Sequence, residues 1–288
     1  MSEIVKPDAW PWSRGAVEHE WEWFARHVHI LMPFWMGDPL APHEIARRMV
    51  PTATDGNPTM QIGPYGNVIR ADTGDRLRYA GTTFNDFVHD AKFTAGCVFK
   101  SNTFSDDNTL FAQTTEQFTS SGRRFFIRTE RSATAGDITV RDGDLDFIDG
   151  ANTSLGVTYS LVIANAASSA TSGLTLWVYD MDARAFVTSI DGLKNTATAW
   201  TVTNGADDQE LQLLAHFKAN NDDSEMDLAL FYKLDGIEVN AAQARQLCED
   251  PFGMLRRRRP VIGRVPGAPP AGTPWFFNNI VRGQRRAG

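Results

Sequence analysis

The chain has 288 residues, 42% of them apolar, and a net charge of −7, which is enough for one large or two smaller domains and too apolar for a disordered polypeptide. The acidic balance argues against general nucleic-acid binding, and no run of about 18 apolar residues is present to form a spanning helix. Charge is unevenly spread: residues 251–288 hold eight Arg and no acid, leaving −15 on residues 1–250.

In chain order, residues 1–26 form a Trp-rich segment with Trp10, Trp12, Trp21 and Trp23. Glu18, Trp21, Phe24 and Ala25 have helical spacing, so a short amphipathic helix is expected here. Two destinations fit these aromatics, the domain's own edge or a neighbouring subunit, because exposed aromatic patches mark interfaces. The N-terminus MSEIVKPDAWPW has no continuous apolar core of the kind a signal peptide carries, so synthesis in a cytoplasm is expected.

His27–Trp35 reads as the first core strand, and 37–58 as a proline-rich loop region with a helical hint at Glu44–Met49. Gln61–Tyr79 holds two short strands broken by Gly63-Pro64 and Thr73-Gly74-Asp75. Further strands are expected at Phe93–Phe99, Thr109–Gln113, Phe125–Thr129, Ile138–Arg141, Leu145–Ile148, Tyr159–Asn165 and Leu174–Asp180. Ala185–Ile190, Ala199–Thr203, Glu210–Ala219 and Met226–Tyr232 complete the series. Many short strands with one helix mean an all-β antiparallel sandwich of jelly-roll type; a parallel α/β fold would need a helix between most strands. The helix, Ala241–Cys248, has Asn240 as N-cap with Gln243 three positions on, and Pro251 ends it. Its stripe Ala241, Ala244, Leu247, Cys248 is expected to lie on a sheet edge. Cys97 on a strand and Cys248 on the helix are read as buried free thiols, although pairing stays open.

After Leu255 come four arginines, Arg256, Arg257, Arg258 and Arg259, then a Pro/Gly/Arg-rich stretch over 258–288 that cannot bury a core of its own. The apolar knot Trp275, Phe276, Phe277 within it suits docking on another chain, with the arginines meeting an acidic protein surface rather than nucleic acid. The organisation expected is thus an N-terminal segment 1–26, a body 27–257 and an extended basic arm 258–288.

Three stretches together resemble laminin-G-like, concanavalin A-like jelly rolls of bacteriophage virion proteins. Gly63–Asp72 with Asp75–Tyr79 is similar to a Gly-Pro-Tyr-Gly turn, edge strand and acidic turn in that family. Phe93–Lys100 (FTAGCVFK) resembles its central strand, and Met226–Tyr232 followed by Asn240–Phe252 resembles its closing strand and helix. The likeness spans roughly residues 28–257 and implies two face-to-face antiparallel sheets. It also implies a virion component, a decoration, spike or fibre, attached to other virion proteins through its arms. Trp10, Trp12, Arg256–Arg259 and Trp275–Phe277 would be the attachment residues, a homo-oligomer would suit such a part, and a host surface glycan is the alternative ligand. Thr73 and Arg76 depart from the family's glycine and acid, and Lys233–Val239 departs from its closing turn, which counts against an inherited calcium or sugar site.

Catalytic signals are weak. Glycan hydrolysis needs two carboxylates about 5–10 Å apart; at Glu225-Met226-Asp227-Leu228-Ala229 an alanine stands where the related glucanase strand has its third acid. No enzymatic activity and no required cofactor are therefore expected. Calcium has one weak candidate loop, Asn220-Asn221-Asp222-Asp223, which is also the weak candidate for ligand binding. Asp142, Asp144 and Asp146 alternate as the solvated face of a strand does, and Phe147 and Thr153 occupy the places where an EF-hand needs Gly and Glu. His27 and His29 share a strand face without an accompanying ligand cluster, so no metal is expected there.

Overall fold

The computed structural model describes residues 19–34, 37–38, 41–42, 44–46, 51, 53–72, 74–80, 87, 91–104, 108–115, 125–130, 136–142, 145–167, 173–194, 209–214 and 225–255. A 3-10 turn at His19–Trp21 leads into α1 (Glu22–His27) and β1 (Val28–Pro33). Then come β2 (Gly37–Asp38), β3 (Ala41–Pro42), β4 (Ala53–Asp55), β5 (Thr59–Gly63), β6 (Gly66–Ala71), β7 (Arg76–Ala80) and β8 (Phe93–Ser101). The middle of the chain gives β9 (Asn108–Thr115), β10 (Phe125–Thr129), β11 (Asp137–Asp142), β12 (Leu145–Asn152), β13 (Tyr159–Asn165) and β14 (Leu174–Asp180). The last elements are β15 (Ala185–Phe186), β16 (Leu193–Lys194), β17 (Gln209–Leu213), β18 (Met226–Asp235), α2 (Ala241–Glu249) and a 3-10 turn at Gly253–Leu255.

Two antiparallel sheets make an all-β sandwich. One has the order β15-β14-β13-β8-β18-β6-β5, with β1 beside the second half of β18 and β16 beside β14. The other runs β12-β11-β10-β9-β17-β7-β4. Strand β18 organises the first sheet. One of its edges pairs with β8 over Met226–Asp235, while the other serves β6 through Met226–Leu228 and β1 through Leu230–Leu234. Between the sheets, Phe87, Phe93, Phe111, Phe125 and Phe231 meet with ring centroids 5.0–6.5 Å apart, in stacked, tilted and edge-on pairs that suit aromatic quadrupoles.

The larger sheet is also covered on its outer face. Leu31, Val98, Val162, Trp177, Leu230 and Tyr232 from its strands pack with Trp21 and Phe24 near α1 and with Ala244, Leu247 and Cys248 of α2. Tyr232 lies across Gly96, its β8 partner; a Cβ there would come within 2.3 Å of the Tyr232 hydroxyl, so the ring's seat requires glycine. Phe24 meets that ring edge-on at 5.7 Å. The two helices are tied by Gln246, whose amide accepts from Trp23 Nε1 at 3.2 Å and donates to the Glu20 carbonyl at 3.2 Å.

Helix α2 starts where its cap residues place it: Asn240 Oδ1 accepts from Gln243 N, and the Gln243 side chain accepts from Asn240 N. Its apolar stripe, expected on a sheet edge, lies instead on the outer face over β13 and β14. Gln61–Tyr79 holds parts of three strands instead of two, and Ala185–Ile190 shortens to Ala185–Phe186 because Val187–Gly192 forms turns. The expected strand Ala199–Thr203 lies outside the described residues, as do Arg47–Met49 of the helical hint. Cys97 faces the inter-sheet core and Cys248 the outer-face cluster, so the sheet itself separates two free thiols. Among the described residues no helix is long and apolar enough to cross a membrane.

Trp21 is fully buried against α2 and the turn after it. Replacing it by Ala should lower stability by about 3–5 kcal/mol, read as an earlier urea midpoint; an unchanged midpoint would mean that the outer layer contributes nothing to the fold.

Candidate functional site

The outer face of the larger sheet carries a row of charges set by strand register. Asp227 on β18 lies opposite Arg70 on β6 and Lys100 on β8. Arg70 grips it with both prongs, Nε to Oδ1 at 2.7 Å and an Nη to Oδ2 at 2.9 Å, while Lys100 Nζ reaches Oδ2 at 2.9 Å and Asn102 Nδ2 reaches Oδ1 at 3.1 Å. The carboxylate side chain is only 4% exposed. Burial pushes its pKa up, but the hydrogen bonds from Arg70, Lys100 and Asn102 outweigh burial and hold it below its ordinary value. Such a carboxyl stays ionised at neutral pH and has no proton to donate as a general acid.

A second charged group closes the inter-sheet core at the far end of β18. Lys233, almost wholly buried, pairs with Asp235 and stands 5.3 Å from the centroid of the Phe87 ring. His29 on β1 pairs with the other carboxylate oxygen of Asp235. Burial raises the Asp235 pKa, while the His29 hydrogen bond and the Lys233 charge bring it below the usual carboxylate value. The sequence shows His29 without an acid; Asp235 reaches it because β1 and β18 are neighbours. Among the described residues no group of three His, Cys, Asp or Glu side chains is placed to hold a metal.

A polar groove of about 290 Å³ opens where β14, β16 and the start of α2 converge, near the small end of ligand sites. Thr175 and Trp177 form its buried floor; Asp191, Lys194, Glu238 and Asn240 stand exposed around it. The side chains of Asp191, Lys194 and Glu238 form no hydrogen bond or ion pair with the described residues. The indole is fixed from beside the groove: Trp177 Nε1 donates to the Ile190 carbonyl at 3.2 Å, and Gly192, at φ +81°, lies so close that a Cβ would come within 2.8 Å of the ring. The arrangement offers carboxylate, ammonium, amide and hydroxyl groups around an aromatic floor, a donor-and-acceptor mixture that matches a polyhydroxylated ligand.

Asn220–Asp223, Trp10, Trp12, Arg256–Arg259 and Trp275–Phe277 lie outside the described residues, as do the side chains of Asp142, Asp144 and Asp146. The groove residues went unnoticed because Asp191 and Lys194, beside and on β16, meet Glu238 from the stretch before α2 only through the fold, and they carry no spacing signal. Asp227 was singled out, but its partners Arg70 and Lys100 follow only from strand register.

No family model and no curated protein matches the chain. Among solved structures, a sialidase from Trypanosoma rangeli in complex with sialic acid aligns with TM-score 0.54 and 10% identity over 78% of this chain. The chain spans 33% of that sialidase's length. Domain 4 of AbnA, a GH43 extracellular arabinanase from Geobacillus stearothermophilus in complex with arabinotriose, aligns with TM-score 0.53 and 11% identity over 77% of this chain and 98% of that domain. At these identities the likeness is one of fold, an all-β sandwich. It corrects the expectation of a protein without enzymatic activity. The same sandwich occurs in chains from glycoside hydrolases, so neither the fold nor Ala229 in the place of a third acid excludes glycan cleavage.

Asp227→Asn should destabilise the fold at pH 7 by about 1–3 kcal/mol, since Arg70 and Lys100 are partly exposed and screened. The folded carboxyl titrates below its unfolded value, so its stabilisation is complete above about pH 4 and fades as pH falls through the lower folded pKa. Denaturant midpoints measured across this range should fall towards acid more steeply for the native sequence than for the variant, and parallel curves would refute the assignment.

Proposed function

We propose that the sandwich is a carbohydrate-recognition domain whose ligand lies in the groove between β14, β16 and α2. The carrying observation is the set of exposed side chains Asp191, Lys194 and Glu238, without partners among the described residues, around the Trp177 floor. Carboxylates kept out of ion pairs are available to sugar hydroxyls, and charged hydrogen bonds of this kind contribute about 1.5–3 kcal/mol each. The fold likeness to a domain solved with arabinotriose supports the same ligand class. Whether bound glycan is also cleaved is a separate property of the same site.

The sequence favours a second, compatible reading of where such a domain works. The arginine cluster Arg256–Arg259 and the Trp275-Phe276-Phe277 knot, together with the resemblance of the body to phage jelly rolls, suit attachment of this domain to a virion through its arms, with other virion proteins as partners.

A glycan array probed with the full chain, followed by calorimetry on the hits, should show binding that Asp191→Asn and Glu238→Gln each weaken by about tenfold or more. Incubating the hits with the chain and following new reducing ends reads cleavage separately. Absence of binding across neutral, acidic and acetylated glycans would refute the recognition reading. Removing residues 261–288 should abolish incorporation into particles while leaving glycan binding intact, and normal incorporation would refute attachment through the arm.

A further inference from the structure

A second, smaller pocket sits beside the Arg70–Asp227–Lys100 row, between β6, β8, β18 and the residues leading into β13. Tyr65, Val68, Val98 and Ala229 form its apolar walls, and Lys100 and Thr158 supply polar groups. Its free space is about 10 Å³, room for the centre of one water- or methyl-sized group. A buried water needs two to four polar partners, and most of this lining offers none.

The polar side is incompletely used. Asp227 is saturated, each oxygen accepting two hydrogen bonds. Lys100 directs one N–H at Asp227 and carries two more. Thr158, 5% exposed, has a hydroxyl with no hydrogen-bond partner, although its backbone N–H is taken up by Asp182 at 3.1 Å. A turn of χ1 exchanges a threonine's methyl and hydroxyl between staggered positions. Because the hydroxyl has no bond to lose, that turn can present it to the pocket, relieving an unsatisfied buried group. The pocket wall is held from the rim, where Tyr65 Oη donates to the Met181 carbonyl at 3.0 Å.

The geometry points to an acetyl-binding pocket: the methyl of an acetylated sugar enters between Val68, Val98 and Ala229, and its carbonyl oxygen accepts from Lys100 and Thr158. A methyl bonded to a carbonyl combines one small apolar group with an adjacent acceptor, which is the pattern this lining complements. Acetyl groups reach a glycan through nitrogen or through oxygen, and the pocket chemistry is common to both. The assignment rests on the carbohydrate reading for its ligand class but uses residues separate from the groove.

The test uses the full chain and saturation-transfer NMR with N-acetylglucosamine, 6-O-acetylglucose, glucosamine and glucose. The acetyl methyl should give the strongest transfer, and at least one acetylated sugar should bind about tenfold more tightly than its unacetylated parent. Preference for the amide or for the ester identifies the source, and either supports the pocket. Ala229→Val, which fills the cavity, and Thr158→Val, which keeps the shape and removes the hydroxyl, should each abolish that preference while the variants keep their cooperative unfolding. Arg245→Gln, exposed on α2 and outside the lining of both the pocket and the groove, should leave the preference unchanged. Equal affinity for acetylated and parent sugars, or a preference that survives both pocket variants, would overturn the proposal.

Discussion

Burial of the larger sheet on both faces is the constraint on which the rest of the molecule depends. One face meets the second sheet through the phenylalanine cluster, and the other lies under Trp21, Phe24 and α2. Tyr232 is the pivot of that outer layer: it needs Gly96 beneath it, meets Phe24 edge-on, and is fully buried. Covering the outer face with helices also confines solvent contact to its margins. The groove at the start of α2 and the pocket beside Lys100 both lie where the helical cover ends, so they follow from the cover's limited extent.

Strand β18 links packing to charge. Its first half places Asp227 between two cations on the outer face, and its second half sends Lys233 and Asp235 to the end of the inter-sheet core. The register shift between Leu228 and Leu230 puts both Ala229 and Leu230 into the outer layer. A single irregularity therefore sets which side chains line the small pocket and which face the core. In both rows each carboxylate is held by two basic side chains, in contrast to the groove, where the carboxylates and the ammonium form no ion pair among the described residues.

Much of the fold was legible in the sequence because its signals are local. The strands Phe125–Thr129, Tyr159–Asn165 and Leu174–Asp180 have the bounds their apolar runs mark, and Asn240 with Gln243 announces α2. Face assignment was not legible for β8, β13 and β18. With both faces buried, FTAGCVFKS shows no alternation of apolar and polar residues. That ambiguity is why the helix was placed on an edge and why the outer layer went unseen. The candidate sites were still less legible, since Arg70, Lys100 and Asp227 are distant in sequence and the groove joins β14 and β16 to the start of α2. Fold class in turn gave a poor guide to catalysis, because the same sandwich occurs in chains from glycan-cleaving enzymes.

The placing of the two cysteines has a consequence for the conditions the fold tolerates. Cys97 and Cys248 are the chain's only thiols; burial pushes both pKa values up, and an intact sheet stands between them. Neither can reach the other without unfolding, and neither is presented to solvent as a thiolate. The folded sandwich therefore holds no disulfide between its two cysteines. Its packing is thus held by burial and hydrogen bonds, with no cross-link to be made or broken between these two positions.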